Sequence, residues 1–172
     1  MLIDCHVHVY KKSDLKPLLK SMNKNNISSS LVYYWPFGKN LKQKKNSQGL
    51  SEFVSMLEGH KNLYPVGSMR ITDSDNYGLQ LNELKSLILK GKVYAIKFYL
   101  GYEYFYANDP RCDILYKLCR KFNIPAIFHT GDTYEKNDAL IKYANPVYID
   151  DVAVKNPKMK ILLCHLGNPW LK

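Results

Sequence analysis

The sequence has no long apolar run: none approaches the roughly 20 residues that are needed to cross a bilayer. It also has no apolar leader, because Asp4, His6 and His8 occupy the place where a secretory signal peptide would need its apolar segment. These absences argue against a membrane-spanning or exported chain, and we expect a cytoplasmic protein. The length of 172 residues predicts a single domain, spanning 1–172, with a substantial core.

Cysteine is scarce: there are only Cys5, Cys112, Cys119 and Cys164, and no Cys-x-x-Cys pair occurs among them. Without an export signal, we expect buried free thiols rather than disulfides. Alternation along a strand predicts that Cys5 and Cys164 point away from the histidines beside them. We therefore interpret both as packing residues.

Acidic residues are few, with 15 Asp and Glu against 25 Lys and Arg, which gives a formal charge of +10. An excess of positive charge would suit an acidic partner such as nucleic acid. Most of the lysines are scattered, as on solvated helix faces, and the one dense cluster lies within 39–45. We therefore expect that nucleic acid is not a partner and that no membrane is bound.

What the sequence does contain is a regular alternation of short apolar runs with helical patterns, at the spacing of βαβ units of about 30 residues. Continuous apolar runs of this kind predict parallel strands covered on both faces. Ser51 is a candidate cap for the second helix, and Gly91 is expected to end the third. The predicted strands are 1–10, 30–35, 64–71, 93–100, 124–129 and 160–165; the predicted helices are 16–25, 50–57, 79–90, one that starts at Asp109-Pro110, and short pieces at 139–144 and 149–154; 39–48 is predicted to be a loop.

The first strand carries a His-x-His pair, His6 and His8, on the same face as Asp4. Two imidazoles about 7 Å apart along one strand can both reach a single cation. Two further histidines, His129 and His165, end the fifth and sixth predicted strands, and only His60 lies elsewhere. In a (β/α)8 barrel the carboxyl ends of the strands converge, so these imidazoles would meet there around a shared cation.

Five segments carry a resemblance to a known family: IDCHVH at 3–8, AIKFYLGY at 95–102, PAIFHTG at 125–131, YIDDVA at 148–153 and CHLGNPW at 164–170. Together they make the chain similar to the amidohydrolase superfamily of metal-dependent TIM barrels. The amidohydrolase-2 branch, which contains aminocarboxymuconate-semialdehyde decarboxylase, is the most similar. The resemblance implies a (β/α)8 barrel and a metal-dependent hydrolase or decarboxylase that acts on a small carboxylated or cyclic substrate.

The resemblance also implies site residues. His6, His8 and His129 would bind a divalent metal, with zinc expected, and His165 would bind a second metal or deprotonate the bound water. Lys97 lies where binuclear members carry a carboxylated lysine, although a lysine paired with a carboxylate at the barrel mouth is the alternative. Arg70 could bind a substrate carboxylate or form a salt bridge at the rim. Tyr99, Tyr102, Tyr104, Phe105 and Tyr106 could line a pocket for a planar substrate or pack over the rim.

The chain departs from a complete barrel, which needs about 250 residues and eight strands. We expect six of the eight βα units, so that strands seven and eight and the aspartate expected on strand eight are missing. Unpaired strand edges would favour a homo-oligomer or a completing chain. Two alternatives stay open: an inactive truncated barrel, and a TatD-like nuclease, which shares the Asp-x-His-x-His start but needs a glutamate where Lys97 stands.

Overall fold

The computed structural model describes residues 1–37, 49–133 and 138–170, so the predicted loop 39–48 and its lysine cluster lie outside the described residues. Within these ranges six strands alternate with five α-helices, in the predicted order, and the predicted helical piece at 139–144 is a short 3-10 turn, Ile141–Ala144. The strands are β1 (Leu2–His8), β2 (Ile27–Tyr33), β3 (Leu63–Gly67), β4 (Ala95–Phe98), β5 (Ala126–Phe128) and β6 (Ile161–Leu163). The helices are α1 (Leu15–Lys24), α2 (Leu50–Leu57), α3 (Tyr77–Leu89), α4 (Asp113–Phe122) and α5 (Val147–Lys155).

All six strands are parallel and pair in chain order, β1-β2-β3-β4-β5-β6. The helices pack on the outer face of the sheet, where Val32, Ile96 and Phe128 join a large core with helix residues such as Phe53 and Leu115. A second, smaller cluster lies on the inner face, which a barrel would enclose. It contains Tyr33, Val66, Ala95, Ile127 and Cys164.

The sheet is strongly curled. In a flat sheet β1 and β6 would lie about 24 Å apart, because neighbouring strands are about 4.8 Å apart. The ring centroids of His6, on β1, and His165, just after β6, are only 5.0 Å apart. Side chains from the two edges therefore face each other across the inner space, and the fold is an incomplete (β/α)8 barrel with six βα units.

The first strand differs from the prediction of a buried strand. Leu2, Ile3 and Cys5 are exposed, so Cys5 is not the packing residue that alternation predicted. The physical reason is that, within the described part of the chain, β1 is an edge strand that pairs with β2 alone. The buried part of this segment is its carboxyl end, where Val9 enters the main core.

The ends of the helices follow the predicted signals in part. Gly91, which follows the C-cap residue Lys90 of α3, has a positive φ of 64°, as a helix-ending glycine should. The side chain of Asp109 accepts a hydrogen bond from the backbone N–H of Arg111 and caps a short 3-10 turn that leads into α4. Ser51 does not cap α2, which starts after Gly49. The Ser51 amide and hydroxyl instead donate to the Glu83 carboxylate of α3, at 2.9 and 2.6 Å. No helix among the described residues combines the length and the apolar character that a membrane span requires.

Candidate functional site

Four of the five histidines meet at the carboxyl end of the curled sheet. The Nε2 atoms of His6 and His8 lie 3.2 Å apart. The ring of His165 lies 5.0 Å from that of His6 and 4.5 Å from that of His129, centroid to centroid. His60 precedes β3 and therefore lies at the opposite end of the sheet. The structure thus brings together the four histidines that the sequence singled out.

The two histidines of β1 are positioned by contacts with the backbone of their own strand. Pairing between β1 and β2 is irregular between Asp4 and Val7, and the Asp4 carboxylate accepts a hydrogen bond from the His6 backbone N–H at 3.0 Å. The Tyr33 hydroxyl donates to the carbonyl oxygen of Cys5 at 2.7 Å, and the Tyr33 ring lies 4.5 Å from that of His6. Tyr33 therefore hydrogen-bonds to the edge strand and packs against the rings of its two histidines.

His165 reaches the site because the chain turns sharply after β6. The strand ends at Leu163, and His165 and Leu166 both have a positive φ, of 60° and 55°. Alternation no longer applies here, so Cys164 and His165 both contribute to the inner side. The prediction that Cys164 points away from the histidine site is therefore wrong: its thiol lies on the inner face.

Lys97 lies beneath the histidines with its side chain fully enclosed, at 2% exposure. Its Nζ is 2.9 Å from Sγ of Cys164 and lies over the rings of Tyr33 and Tyr99, at 5.1 and 5.6 Å from their centroids. Burial lowers the pKa of Lys97, against a smaller opposing effect of the Cys164 thiol. Among the residues that the structure describes, the partner of the amine is the Cys164 thiol and no carboxylate pairs with it, which differs from the predicted alternative of a lysine paired with a carboxylate.

The histidines are held in their neutral form. Burial, with the positive charge of Lys97 second, lowers the pKa of His6 to about 3, that of His8 to about 4 and that of His129 to about 2. The same two causes lower the pKa of His165. At neutral pH the site is therefore a cluster of uncharged imidazoles, the form in which histidine binds metals and accepts protons.

Imidazole nitrogens are suitable zinc ligands, and the distances between them in this cluster match a zinc site in part. Two zinc-bound nitrogens at about 2.0–2.1 Å, at a tetrahedral angle, lie about 3.3 Å apart. The Nε2 atoms of His6 and His8 match that spacing, and Nδ1 of His8 is buried with no hydrogen-bond partner among the described residues. His129 Nε2 instead lies 3.0 Å from the carbonyl oxygen of Asp132. Among residues 1–37, 49–133 and 138–170, no three His, Cys, Asp or Glu side chains are arranged to hold a metal ion.

Aromatic rings border the histidines on one side. Trp35 packs against His8 at 6.1 Å, and Tyr102 packs edge-on against His129 at 4.7 Å, centroid to centroid. Sequence reasoning missed Phe37, which joins Trp35 and Tyr99 in this aromatic wall. The other aromatic residues after β4 pack away from the site: Phe105 is in the main core, and Tyr104 and Tyr106 contact Tyr143.

Arg70, past the end of β3, forms the predicted rim ion pair, with its Nε 3.9 Å from Oε1 of Glu103. Its guanidinium also lies over the ring of Phe37, at 5.5 Å, and its buried Nε has no hydrogen-bond partner within 1–37, 49–133 and 138–170. The Glu103 carboxylate accepts hydrogen bonds from the amides of Ile71 and Thr72 and from the Thr72 hydroxyl, at 3.2, 3.0 and 2.7 Å. Glu103 is thus engaged at the rim, which argues against the role of a nuclease-type metal-binding glutamate.

Comparison with known proteins points to one family and one fold. The family model described as amidohydrolase matches residues 79–172. An uncharacterised TIM-barrel protein from Bordetella bronchiseptica aligns with a TM-score of 0.72 and 19% identity, over 98% of this chain and 68% of that one. No curated protein matches.

Two further solved structures share the fold. A probable 2-pyrone-4,6-dicarboxylic acid hydrolase from Acinetobacter baumannii has a TM-score of 0.59 and 13% identity, over 96% of this chain and 58% of that one. The 5-carboxyvanillate decarboxylase from Sphingomonas paucimobilis has a TM-score of 0.66 and 11% identity, over 96% and 68%. The chain therefore spans between 58% and 68% of the length of these three proteins.

Proposed function

The chain belongs to the amidohydrolase family, and on that premise we propose that it is a metal-dependent hydrolase or non-oxidative decarboxylase acting on a small carboxylated or cyclic substrate. The observation that carries the proposal is the meeting of four neutral imidazoles from β1 and from the ends of β5 and β6. No such convergence is needed to build the core, since the rings line the inner space rather than the helix-covered face.

His6, His8 and His129 are the proposed metal ligands, and zinc is the proposed metal. The support is the neutral state of the three rings and the 3.2 Å spacing of the first two. When bound, zinc would lower the pKa of a water molecule or polarise a substrate carbonyl. The 2.9 Å contact of Lys97 with Cys164 favours an unmodified amine over a carboxylated lysine that bridges two metals.

His165 is the proposed general base. Its ring contacts those of both His6 and His129, so it lies next to the proposed ligands. It is the most solvent-exposed histidine of the cluster: His165 is exposed, whereas His129 is buried. Its lowered pKa keeps it neutral at pH 7, so it can accept a proton from a reacting group and return it to a product.

The proposed substrate is a carboxylate with a planar ring. Arg70 offers a guanidinium beside the aromatic wall, and its Nε has no hydrogen-bond acceptor among the residues described, so a substrate carboxylate could accept from it. Trp35, Tyr99 and Tyr102 present ring faces and edges beside the histidines. Two of the proteins that share the fold are named for cyclic carboxylates, 2-pyrone-4,6-dicarboxylic acid and 5-carboxyvanillate.

Zinc binding by the purified chain tests the metal site. We expect the wild type to take up zinc stoichiometrically and its thermal unfolding to shift upward with added zinc. His6→Ala and His129→Ala should abolish both effects, whereas the control His60→Ala, at the other end of the sheet, should keep them. A wild type that neither binds zinc nor shifts would favour the inactive barrel.

Turnover of cyclic carboxylates tests the reaction class. Carbon dioxide release without loss of the ring would identify a decarboxylase, and ring opening with uptake of water a hydrolase. His165→Asn should lower kcat by about 100-fold or more while zinc is retained, because a general base typically contributes that much. Loss of zinc in this variant would make His165 a ligand instead. Cleavage of DNA by the wild type would support the nuclease alternative.

A further inference from the structure

The contact between Lys97 and Cys164 involves none of the proposed metal ligands. A buried lysine normally pairs with a carboxylate, but here the amine meets a sulfur atom at 2.9 Å, and both side chains are buried. The two residues are 67 positions apart in sequence, on β4 and directly after β6. The amine is enclosed by the Tyr33 and Tyr99 rings, which hold it against the thiol.

We propose that Lys97 and Cys164 form an oxidation site, at which the two side chains become joined through a single oxygen atom as an N–O–S bridge. The 2.9 Å between Nζ and Sγ is close to the span of two bonds through one inserted oxygen, so little movement is needed. Cys112 and Cys119 are also buried, but the side chains that influence the pKa of these thiols are Asp109, Tyr116, Arg111 and Glu103 for the first and Arg120 for the second, not a lysine.

The oxidation balances with hydrogen peroxide as the oxidant. A first peroxide converts the Cys164 thiol to a sulfenic acid and releases one water. A second peroxide takes two electrons from the amine nitrogen, the sulfenic oxygen forms the N–O bond, and two waters leave. One S–H and one N–H bond are lost, and one S–O and one N–O bond are formed. Two dithiol molecules return the four electrons, which restores the amine and the thiol and releases the bridging oxygen as water.

The bridge would tie β4 to the turn that carries His165. Its effect should resemble that of a disulfide closing a loop of similar length, which constrains the unfolded chain. We therefore expect the midpoint of thermal unfolding to rise by roughly 5–10 °C in the oxidised protein. This expectation requires neither bound metal nor turnover, so it stands or falls separately from the proposed function.

Intact-mass measurement of the full chain, after treatment with hydrogen peroxide and then with a dithiol, tests the proposal. A Cys5→Ser background is used because Cys5 is a free, exposed thiol that hydrogen peroxide can reach directly. We expect a gain of one oxygen less two hydrogens, reversed by the dithiol. A tryptic digest should contain one cross-linked species that joins the peptides of Lys97 and Cys164, with no cleavage after Lys97.

Three variants in that background supply the controls. Lys97→Met and Cys164→Ala should each abolish the cross-linked species, whereas Cys119→Ser, which removes a buried thiol elsewhere, should retain it. Gain of a whole oxygen at Cys164 without loss of hydrogens, a disulfide, or an unchanged mass would each overturn the proposal. The cross-link is read out with Lys97 and Cys164 both intact, so the main result depends only on folding of the Cys5→Ser background, in which one exposed thiol is replaced.

Discussion

The ring of His6 lies 5.0 Å from the ring of His165, although the two residues belong to opposite edges of a six-stranded sheet. The contact exists only because the sheet curls, so the distance between these two rings depends on how far the sheet closes. The same curl brings the thiol of Cys164 to the amine of Lys97. Both the proposed metal site and the proposed oxidation site therefore depend on one geometric property of the fold.

Acid should destabilise the metal-free protein through its buried histidines. The folded-state pKa is about 4 for His8 and about 2 for His129, against 6.5 as the ordinary value. Below pH 6.5 the unfolded state binds protons that the folded state excludes, so stability falls as the pH falls until the folded pKa is reached. Between pH 7 and pH 5 each of these two histidines should cost about 2 kcal/mol of unfolding free energy.

Urea unfolding at the two pH values, with a chelator present, measures this loss. His60→Gln should show the same pH dependence as the wild type, because His60 lies outside the cluster. An unfolding free energy that is equal at pH 7 and pH 5 would mean that the four imidazoles are not enclosed as described.

Replacing Lys97 by methionine should raise the pKa of every histidine in the cluster. The positive charge of Lys97 is the second cause of the lowered pKa of His6, His8, His129 and His165. Its removal should shift all four titrations toward 6.5, which NMR of the imidazole protons can follow residue by residue. Stability should be unchanged or rise by about 1 kcal/mol, since a methionine fills the space without a buried amine.

Lys92→Met is the matched control, because Lys92 is exposed and pairs with Glu58 at 3.1 Å. It should leave the four histidine titrations unchanged. If Lys97→Met shifts them no more than Lys92→Met does, the amine does not lie beneath the histidines.

The alternation of strands and helices, and the histidines at the strand ends, could be predicted from sequence because they rest on local patterns. Each strand has its own apolar run, and parallel strands carry their ends to the same edge. This is why the sequence alone predicts that His6, His8, His129 and His165 lie at one end of the sheet. The parallel order of the strands is enough to predict that these four histidines lie at the same end of the sheet.

The contacts of Cys164 and Lys97 could not be predicted in this way. Alternation assumes an extended backbone, but β6 ends at Leu163 and His165 has a left-handed φ of 60°. The partner of Lys97 is set by the curl of the sheet, which depends on packing over the whole inner face. The exposure of Cys5 likewise follows from the edge position of β1, which its own residues do not encode.

The open edges of the sheet should make the chain self-associate. Leu2 and Ile3 on β1 are 54% and 42% exposed, and Leu163 at the end of β6 is 49% exposed. In the part of the chain that the structure describes, each of these strands pairs with only one neighbour, and unpaired apolar edges can pair with strands of other molecules. We expect an apparent mass by size-exclusion chromatography with light scattering that rises with protein concentration.

Charges placed on the two edges should reduce this association. Ile3→Lys and Leu163→Lys are the test variants, and Leu79→Lys is the control, because Leu79 is 72% exposed but lies on α3. A wild type that stays monomeric at all concentrations would show that the edges are protected. Equal effects of all three substitutions would show that added charge, rather than edge position, is responsible.

A methyl group at Gly131 should damage the fold more than one at Gly59, although both glycines have a positive φ. Gly131 has a φ of 81°, and a Cβ there would lie 2.3 Å from the backbone oxygen of Asn168 and 2.8 Å from its nitrogen. At Gly59, with a φ of 87°, nothing lies within 4 Å of the added atom. Gly59→Ala should therefore lower the unfolding free energy only through left-handed backbone strain, by about 1 kcal/mol. Gly131→Ala should lower it by about 3 kcal/mol or more, because the backbone must also move.

Since the displaced backbone belongs to the turn that carries His165, Gly131→Ala should also change the chemical shifts of the His165 ring, and Gly59→Ala should not. Equal losses in urea unfolding would show that the turn after β6 does not approach the loop after β5 as closely as described.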